Sequence, residues 1–148
     1  MPKAPWDGVL DGARHPALCP QFADSNRGVF IGDEDCLQLR VHVPPITEPA
    51  TNNLLLPVLV WIYGGAFEIG DQQEFGWYDA QRFAEDRGVV MVGLNYRLNV
   101  FGFLAHEALQ REDAHGSTGN AGLQDQRLAL QWVRDNVRAF GGDPSQVT

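Results

Sequence analysis

Tyr63-Gly64-Gly65-Ala66-Phe67 follows directly on the apolar run Leu56-Pro57-Val58-Leu59-Val60-Trp61-Ile62, so a buried strand is expected to end in a glycine turn that leaves backbone N–H groups free. Free N–H groups aimed at one point can stabilise a developing oxyanion, and one such donor contributes about 2.7–4 kcal/mol to a transition state. Gly64, Gly65 and Ala66 are therefore candidate oxyanion-hole residues. Two other readings stand beside this one. Tight turns need glycine whatever their function, and Gly65 and Gly70 have the outer spacing of a phosphate-binding loop. The phosphate reading fails at Asp71-Gln72, where that loop needs Lys and then Ser or Thr. A dinucleotide fingerprint fails as well, because no G-x-G-x-x-G opens a helix after either apolar strand.

An oxyanion turn acts together with a nucleophile, and the chain offers none in a suitable context. Its three serines are Ser25, Ser117 and Ser145, and none sits in a G-x-S-x-G elbow. Gly116-Ser117-Thr118-Gly119 comes nearest, but no strand leads into it and it reads as a loop. Cys19 and Cys36 have no basic neighbour to lower a thiol pKa. The histidines His15, His42, His106 and His115 show neither helical zinc-pair spacing nor a nearby cysteine pair, so no metal site is expected. No cofactor motif is present either.

The elements that must position the turn are legible from periodicity. Leu37, Leu39, Val41 and Val43 alternate with Gln38, Arg40 and His42, the period of a strand with one buried face. Pro44-Pro45-Ile46-Thr47-Glu48-Pro49-Ala50-Thr51-Asn52-Asn53 then reads as a connection. The run Val58-Leu59-Val60-Trp61-Ile62 is apolar on both faces, as in a central strand covered by helices. A helix is expected over residues 78–86, with Phe83 and Ala84 inward and Gly88 stopping it. Val89-Val90-Met91-Val92-Gly93-Leu94 is the next strand, which makes a strand, helix, strand crossover and an α/β fold class. Residues 122–140 read as one amphipathic helix, with Leu130, Val133, Val137 and Phe140 inward. Gly141-Gly142 ends it, Pro144 prevents its resumption, and Gln146-Val147-Thr148 begins a further strand.

With 148 residues and 44% apolar content the chain can bury a sizeable core. A formal charge of −8 argues against nucleic acid or an anionic membrane as partner. The longest apolar stretch is far short of the roughly 20 residues that span a bilayer. The N-terminus has no apolar core of the signal-peptide kind. Cys19 and Cys36 enclose a polar stretch that a disulfide would suit, contributing about 3 kcal/mol and implying an oxidising compartment. Cysteine count alone leaves two separate thiols equally open.

Taken together these segments resemble the type-B carboxylesterase and cholinesterase family of α/β-hydrolases over almost the whole chain. Glu34-Asp35-Cys36-Leu37 is similar to that family's acidic-cysteine signature, and Val60-Trp61-Ile62-Tyr63-Gly64-Gly65-Ala66-Phe67 to its oxyanion segment. Asn95-Tyr96-Arg97 followed by Phe101-Gly102-Phe103-Leu104 is similar to the stretch after its next strand. The most specific match is Gly119-Asn120-Ala121-Gly122-Leu123-Gln124-Asp125-Gln126-Arg127, continuing to Phe140-Gly141-Gly142-Asp143-Pro144. Gln38 and Arg40 depart from the cysteine signature, and Tyr63 stands where many carboxylesterases have histidine.

The resemblance implies a partial α/β-hydrolase fold, a mixed, mostly parallel sheet with flanking helices, forming part of one domain that is incomplete at both ends. It implies a Cys19–Cys36 disulfide, in keeping with Cys19-Pro20-Gln21, and hence a secreted or lumenal setting for the intact protein. It implies backbone donation to an oxyanion from Gly65 and Ala66, with Gly64 allowing the close turn. Glu68, next along, would line the substrate entrance. The nucleophilic serine would lie a handful of residues past Thr148, with the acid and histidine further on. The substrate would be a small carboxylic ester. The short cysteine loop holds no tryptophan to bind a quaternary ammonium, which favours a general carboxylesterase over a choline esterase, although Tyr63 counts the other way. A non-catalytic binding relative and an inert truncated product remain rival readings.

The family's sheet order would place the strand near residues 58–63 between the 89–94 strand and the one Thr148 begins, and leave the 37–43 strand without its outer neighbour. Expressed alone, these 148 residues should therefore expose strand edges and aggregate or fold poorly. Size-exclusion chromatography and thermal melts check this, and a monomer with a cooperative melt contradicts it.

Overall fold

A computed structural model of the chain describes residues 7–8, 16–23, 28–45, 55–73 and 80–148. Most of the proline-rich connection (46–54), positions 24–27 of the cysteine loop, Tyr78 and Asp79 at the expected helix start, and His15 lie outside the described residues. In chain order the elements are β1 (Gln21–Phe22), β2 (Phe30–Ile31), β3 (Leu39–His42), β4 (Leu56–Trp61), α1 (Ala80–Arg87), β5 (Val90–Leu94), α2 (Asn99–Phe103), α3 (Glu107–Glu112), α4 (Ala121–Asn136), a 3₁₀ turn (Val137–Phe140) and β6 (Gly142–Val147). No described helix is long and apolar enough to cross a membrane.

The main sheet has the order β3-β5-β4-β6. β4 pairs in parallel with β5 and β6, whereas β3 runs antiparallel to β5. This is the expected mixed, mostly parallel sheet. α1 ends at Gly88, whose φ of +63° suits glycine, and the Val89 N–H then returns to the Ala84 carbonyl at 3.2 Å. The chain emerges into β5, every residue of which is buried. Val58, Val90 and Val92 meet Val133 and Val137 to form the core beneath α4.

Four expectations need correction. The strand covered on both faces is β5, whereas β4 buries only Val58 completely, because α1 packs on β5 and β3. Leu37 lies outside β3 and is exposed. In α1, Ala84 is buried but Phe83 faces water, so the helix meets the sheet through its smallest side chain. Along α4 and the 3₁₀ turn Val133 and Val137 are inward as expected, but they are joined by Gly122 and Asp125, whereas Leu130 and Phe140 are exposed. Small residues draw the helix close: a Cβ on Gly122 would lie 2.5 Å from the Arg97 carbonyl oxygen and 2.7 Å from the Phe103 ring.

The last strand also begins earlier than its sequence suggests. Gly141 leaves the 3₁₀ turn with φ +80° and Gly142 already pairs with Leu56, so Pro144 lies inside β6. Among the described strands β6 is paired on one side only, through β4, and the proline sits where it breaks no pairing with that strand. Between the Leu56–Gly142 and Val58–Val147 pairings β6 bulges, opposite Pro57, which has no N–H to offer. Asp143 holds the bulge, its Oδ1 accepting from the Ser145 N–H at 2.9 Å and from the Ser145 hydroxyl at 2.7 Å.

One ion pair ties α4 to the end of β5. Asp125 accepts from Arg97 Nε at 2.8 Å, Nη2 at 2.7 Å and the backbone N–H at 3.1 Å. The carboxylate is buried and holds the Arg97 guanidinium pKa above its ordinary value, chiefly through these hydrogen bonds. Removing one partner of a fully buried pair costs about 3–5 kcal/mol, but the Arg97 side chain is 36% exposed, which reduces the penalty. Asp125→Ala should cost about 2 kcal/mol in the full-length protein, read as a shift in denaturant midpoint. An unchanged midpoint contradicts the assignment.

Candidate functional site

Where β4 ends, Tyr63 is buried against Tyr96, which follows β5. The rings stack with centroids 4.5 Å apart. Each hydroxyl donates to the other residue's carbonyl, at 3.0 Å in both directions. Burial raises both phenol pKa values.

Beyond this clasp the backbone turns sharply. Gly65 has φ +118°, and a Cβ there would collide with the Ile69 carbonyl oxygen. Only glycine fits. Ala66 and Phe67 follow with φ of 55° and 62°, left-handed values that cost on the order of 1–3 kcal/mol each for such residues and persist only when neighbours hold them. The Gly65 carbonyl accepts from the Glu68 N–H at 2.9 Å and the Ile69 N–H at 3.2 Å, which closes the turn. Among the described residues the N–H groups of Gly65 and Ala66 donate no hydrogen bond, and both residues are exposed. Successive free N–H groups in left-handed backbone form a concavity suited to an anion.

Gly64 precedes the residue at which contacts among the described residues demand glycine. A Cβ at Gly64 would meet nothing within 4 Å, and its φ is not positive. Among the described residues the steric demand for glycine is at Gly65. Glu68 is exposed on the same turn, with its N–H engaged by Gly65.

The turn is anchored at its far end by the cysteine loop. Cys19 and Cys36 form a disulfide with Cα atoms 4.9 Å apart. Both half-cystines are buried. Two residues on, Gln21 uses its side-chain amide as a backbone would: Oε1 accepts from the Gly70 N–H at 2.8 Å and Nε2 donates to the Gly70 carbonyl at 3.0 Å. Asn95 joins the same loop to β5, donating through Nδ2 to the Ala17 carbonyl at 2.9 Å and accepting through Oδ1 from the Gln72 N–H at 3.1 Å.

Ser117 and Ser145 have local structural partners, Asn120 and Asp143, in keeping with the loop reading of the first. His106 caps α3, its Nδ1 accepting from the Ala108 N–H at 3.1 Å. Sequence reasoning missed the supports of the turn: Gln21, Tyr96 and Asn99. Asn99 carried one usable signal, a short amide side chain between two apolar residues, since asparagine tolerates the left-handed φ of 52° it adopts.

The site carries a testable pH signature. With folded-state pKa values raised above the usual value of about 10, the tyrosine clasp contributes fully below that pH and is lost as pH rises through the folded values. Tyr63→Phe should cost about 1 kcal/mol at neutral pH and flatten the loss of stability above about pH 10. Denaturant midpoints of the full-length protein between neutrality and strong alkali check this.

Comparison with known proteins bears on the same residues. The sequence profile described as "Carboxylesterase family" matches residues 1–148. The chain is 43% identical to acetylcholinesterase of Electrophorus electricus over 157 aligned positions, covering 99% of this chain and 23% of that protein. It is 42% identical to para-nitrobenzyl esterase of Bacillus subtilis (strain 168), covering 99% of this chain and 29% of that protein. The solved structure of a thermophilic PNB esterase superposes with a TM-score of 0.77 at 40% identity, covering 96% of this chain and 28% of that one. The chain thus spans about a quarter of the length of the relatives it matches, and its architecture is part of an α/β-hydrolase fold.

Proposed function

Since the chain belongs to the carboxylesterase family, we propose that residues 64–67 supply the oxyanion-stabilising segment of a serine hydrolase that cleaves carboxylic esters. The observation that carries this reading is the pair of exposed N–H groups at Gly65 and Ala66, left without partners among the described residues by a turn that only glycine can enter. In the intact protein a serine Oγ would add to the ester carbonyl while its proton passes to a histidine oriented by an acid. The carbonyl oxygen, now negative, would rest against the N–H groups of Gly65 and Ala66. A third donor would come from the residue after the serine. Collapse releases the alcohol and leaves an acyl-enzyme, which water hydrolyses through a second oxyanion in the same place.

The bare Cα of Gly64 leaves room above these donors, and Glu68 lines the approach. Residues 1–148 form part of the single hydrolase domain, and the triad is contributed by sequence outside them. The absence of tryptophan from the cysteine loop favours small uncharged esters over choline esters.

Two measurements test this. The reading frame beyond Thr148 should encode a G-x-S-x-G elbow, and another residue in place of serine would instead assign the protein to a binding role. The full-length protein should hydrolyse nitrophenyl esters, residues 1–148 alone should not, and Gly65→Ala, whose Cβ strikes the Ile69 carbonyl oxygen, should lower the melting temperature and also lower kcat per correctly folded site by about 10²–10³-fold. Undiminished turnover in that variant would sink the assignment.

A further inference from the structure

The carbonyls of the oxyanion turn converge on one residue outside it. Asn99 opens α2 with a φ of 52°. Its backbone N–H donates to the Phe67 carbonyl at 2.8 Å. Its side-chain Nδ2 donates to the Glu68 carbonyl at 2.8 Å, with the Pro20 carbonyl 3.4 Å from the same nitrogen. Two consecutive peptide planes of the turn are thus tied by a single asparagine.

The planarity of the peptide bond carries that restraint further. In a trans peptide the carbonyl of one residue and the N–H of the next share a plane and point in opposite directions. Fixing the Phe67 and Glu68 carbonyls therefore aims the Glu68 and Ile69 N–H groups, and both of these donate to the Gly65 carbonyl, at 2.9 Å and 3.2 Å. The Gly65 carbonyl shares its plane with the Ala66 N–H. Asn99 consequently acts, through three peptide planes, on the direction of one of the two exposed donors.

We propose that Asn99 is the positioning residue of the oxyanion turn, setting the aim of the Ala66 N–H without itself touching substrate. This rests on the esterase reading given above for the same turn. Left-handed backbone at Ala66 and Phe67 supplies the reason a clamp is needed, because neither residue holds that conformation by preference. Left-handed backbone at Asn99 supplies the reason for asparagine: from that conformation its N–H and side-chain amide reach adjacent carbonyls together, and its short polar side chain tolerates it.

The test uses the full-length protein carrying Asn99→Gly or Asn99→Asp, with active sites counted by stoichiometric phosphonylation. Asn99→Gly keeps the left-handed backbone and the N–H but loses the Nδ2 link. Its kcat per titrated site should fall about tenfold with KM within about twofold, as expected when a transition-state donor is misaligned. Asn99→Asp sets a carboxylate against the Glu68 and Pro20 carbonyls and should lose about a hundredfold. In both variants amide exchange at Glu68 and Ile69 should accelerate, and affinity for a trifluoromethyl ketone should fall in step with kcat. Unchanged kcat per site in Asn99→Asp, or a loss explained wholly by fewer titratable sites, overturns the proposal. A folded wild-type protein without ester turnover overturns the esterase reading, and exchange at Glu68 and Ile69 then decides the clamp alone: acceleration in Asn99→Asp supports it, and no change refutes it.

Discussion

Three consecutive residues, Gly65, Ala66 and Phe67, occupy backbone with positive φ, and two of them carry a Cβ that resists it. A segment of that kind relaxes unless it is held from several sides, so its surroundings follow from the constraint. Gln21 fixes Gly70 beyond the turn, Asn99 fixes the carbonyls in its middle, and Tyr96, clasped to Tyr63, fixes the strand end that enters it. The aromatic ring of Phe67 is seated against Phe103, with centroids 4.7 Å apart. These supports come from segments distant in sequence, and each reaches the turn through hydrogen bonds or ring packing.

The disulfide belongs to this arrangement rather than to the sheet. The segment carrying Gln21 is short and leaves its apolar residues Phe22, Val29, Phe30 and Ile31 exposed, so burial alone would hold it weakly. Cross-linking Cys19 to Cys36, in a loop of sequence separation 17, removes much of its freedom in the unfolded chain, worth about 3 kcal/mol in the chain-entropy model. Asn95 then fastens both ends of the loop, through the carbonyls of Ala17 and Cys36, to the residue that follows β5. The sheet thereby holds the loop, and the loop holds the turn.

Much of this was legible in residue order. The strands β4 and β5, the helix between them, the long helix before β6 and the glycine turn all announce themselves through periodicity and punctuation. Helix faces are less legible, because apolar content does not by itself mark the buried side. In α4 the contact is set by how near the backbone can come, and Gly122 and Asp125 mark that side better than Leu130 does. The start of β6 was hidden because Pro144 normally stops regular structure, and nothing local says that Asp143 will fold it into a bulge. The supports of the turn were hidden for a third reason: Gln21, Tyr96 and Asn99 act through backbone carbonyls and amides, and a sequence shows which side chains exist but not which main-chain atoms they will meet.

The paired tyrosines have a mechanical consequence. Each hydroxyl reads the position of the other strand's carbonyl, so a slip of β4 along β5 by one residue would break both hydrogen bonds and unstack the rings together. The two strand tips therefore behave as one rigid bracket, and the height at which the chain leaves the sheet is gauged twice. Any play in the exposed N–H groups must then arise beyond the bracket, as torsion within residues 64–70, which confines the compliance of the site to a hinge of a few peptide planes.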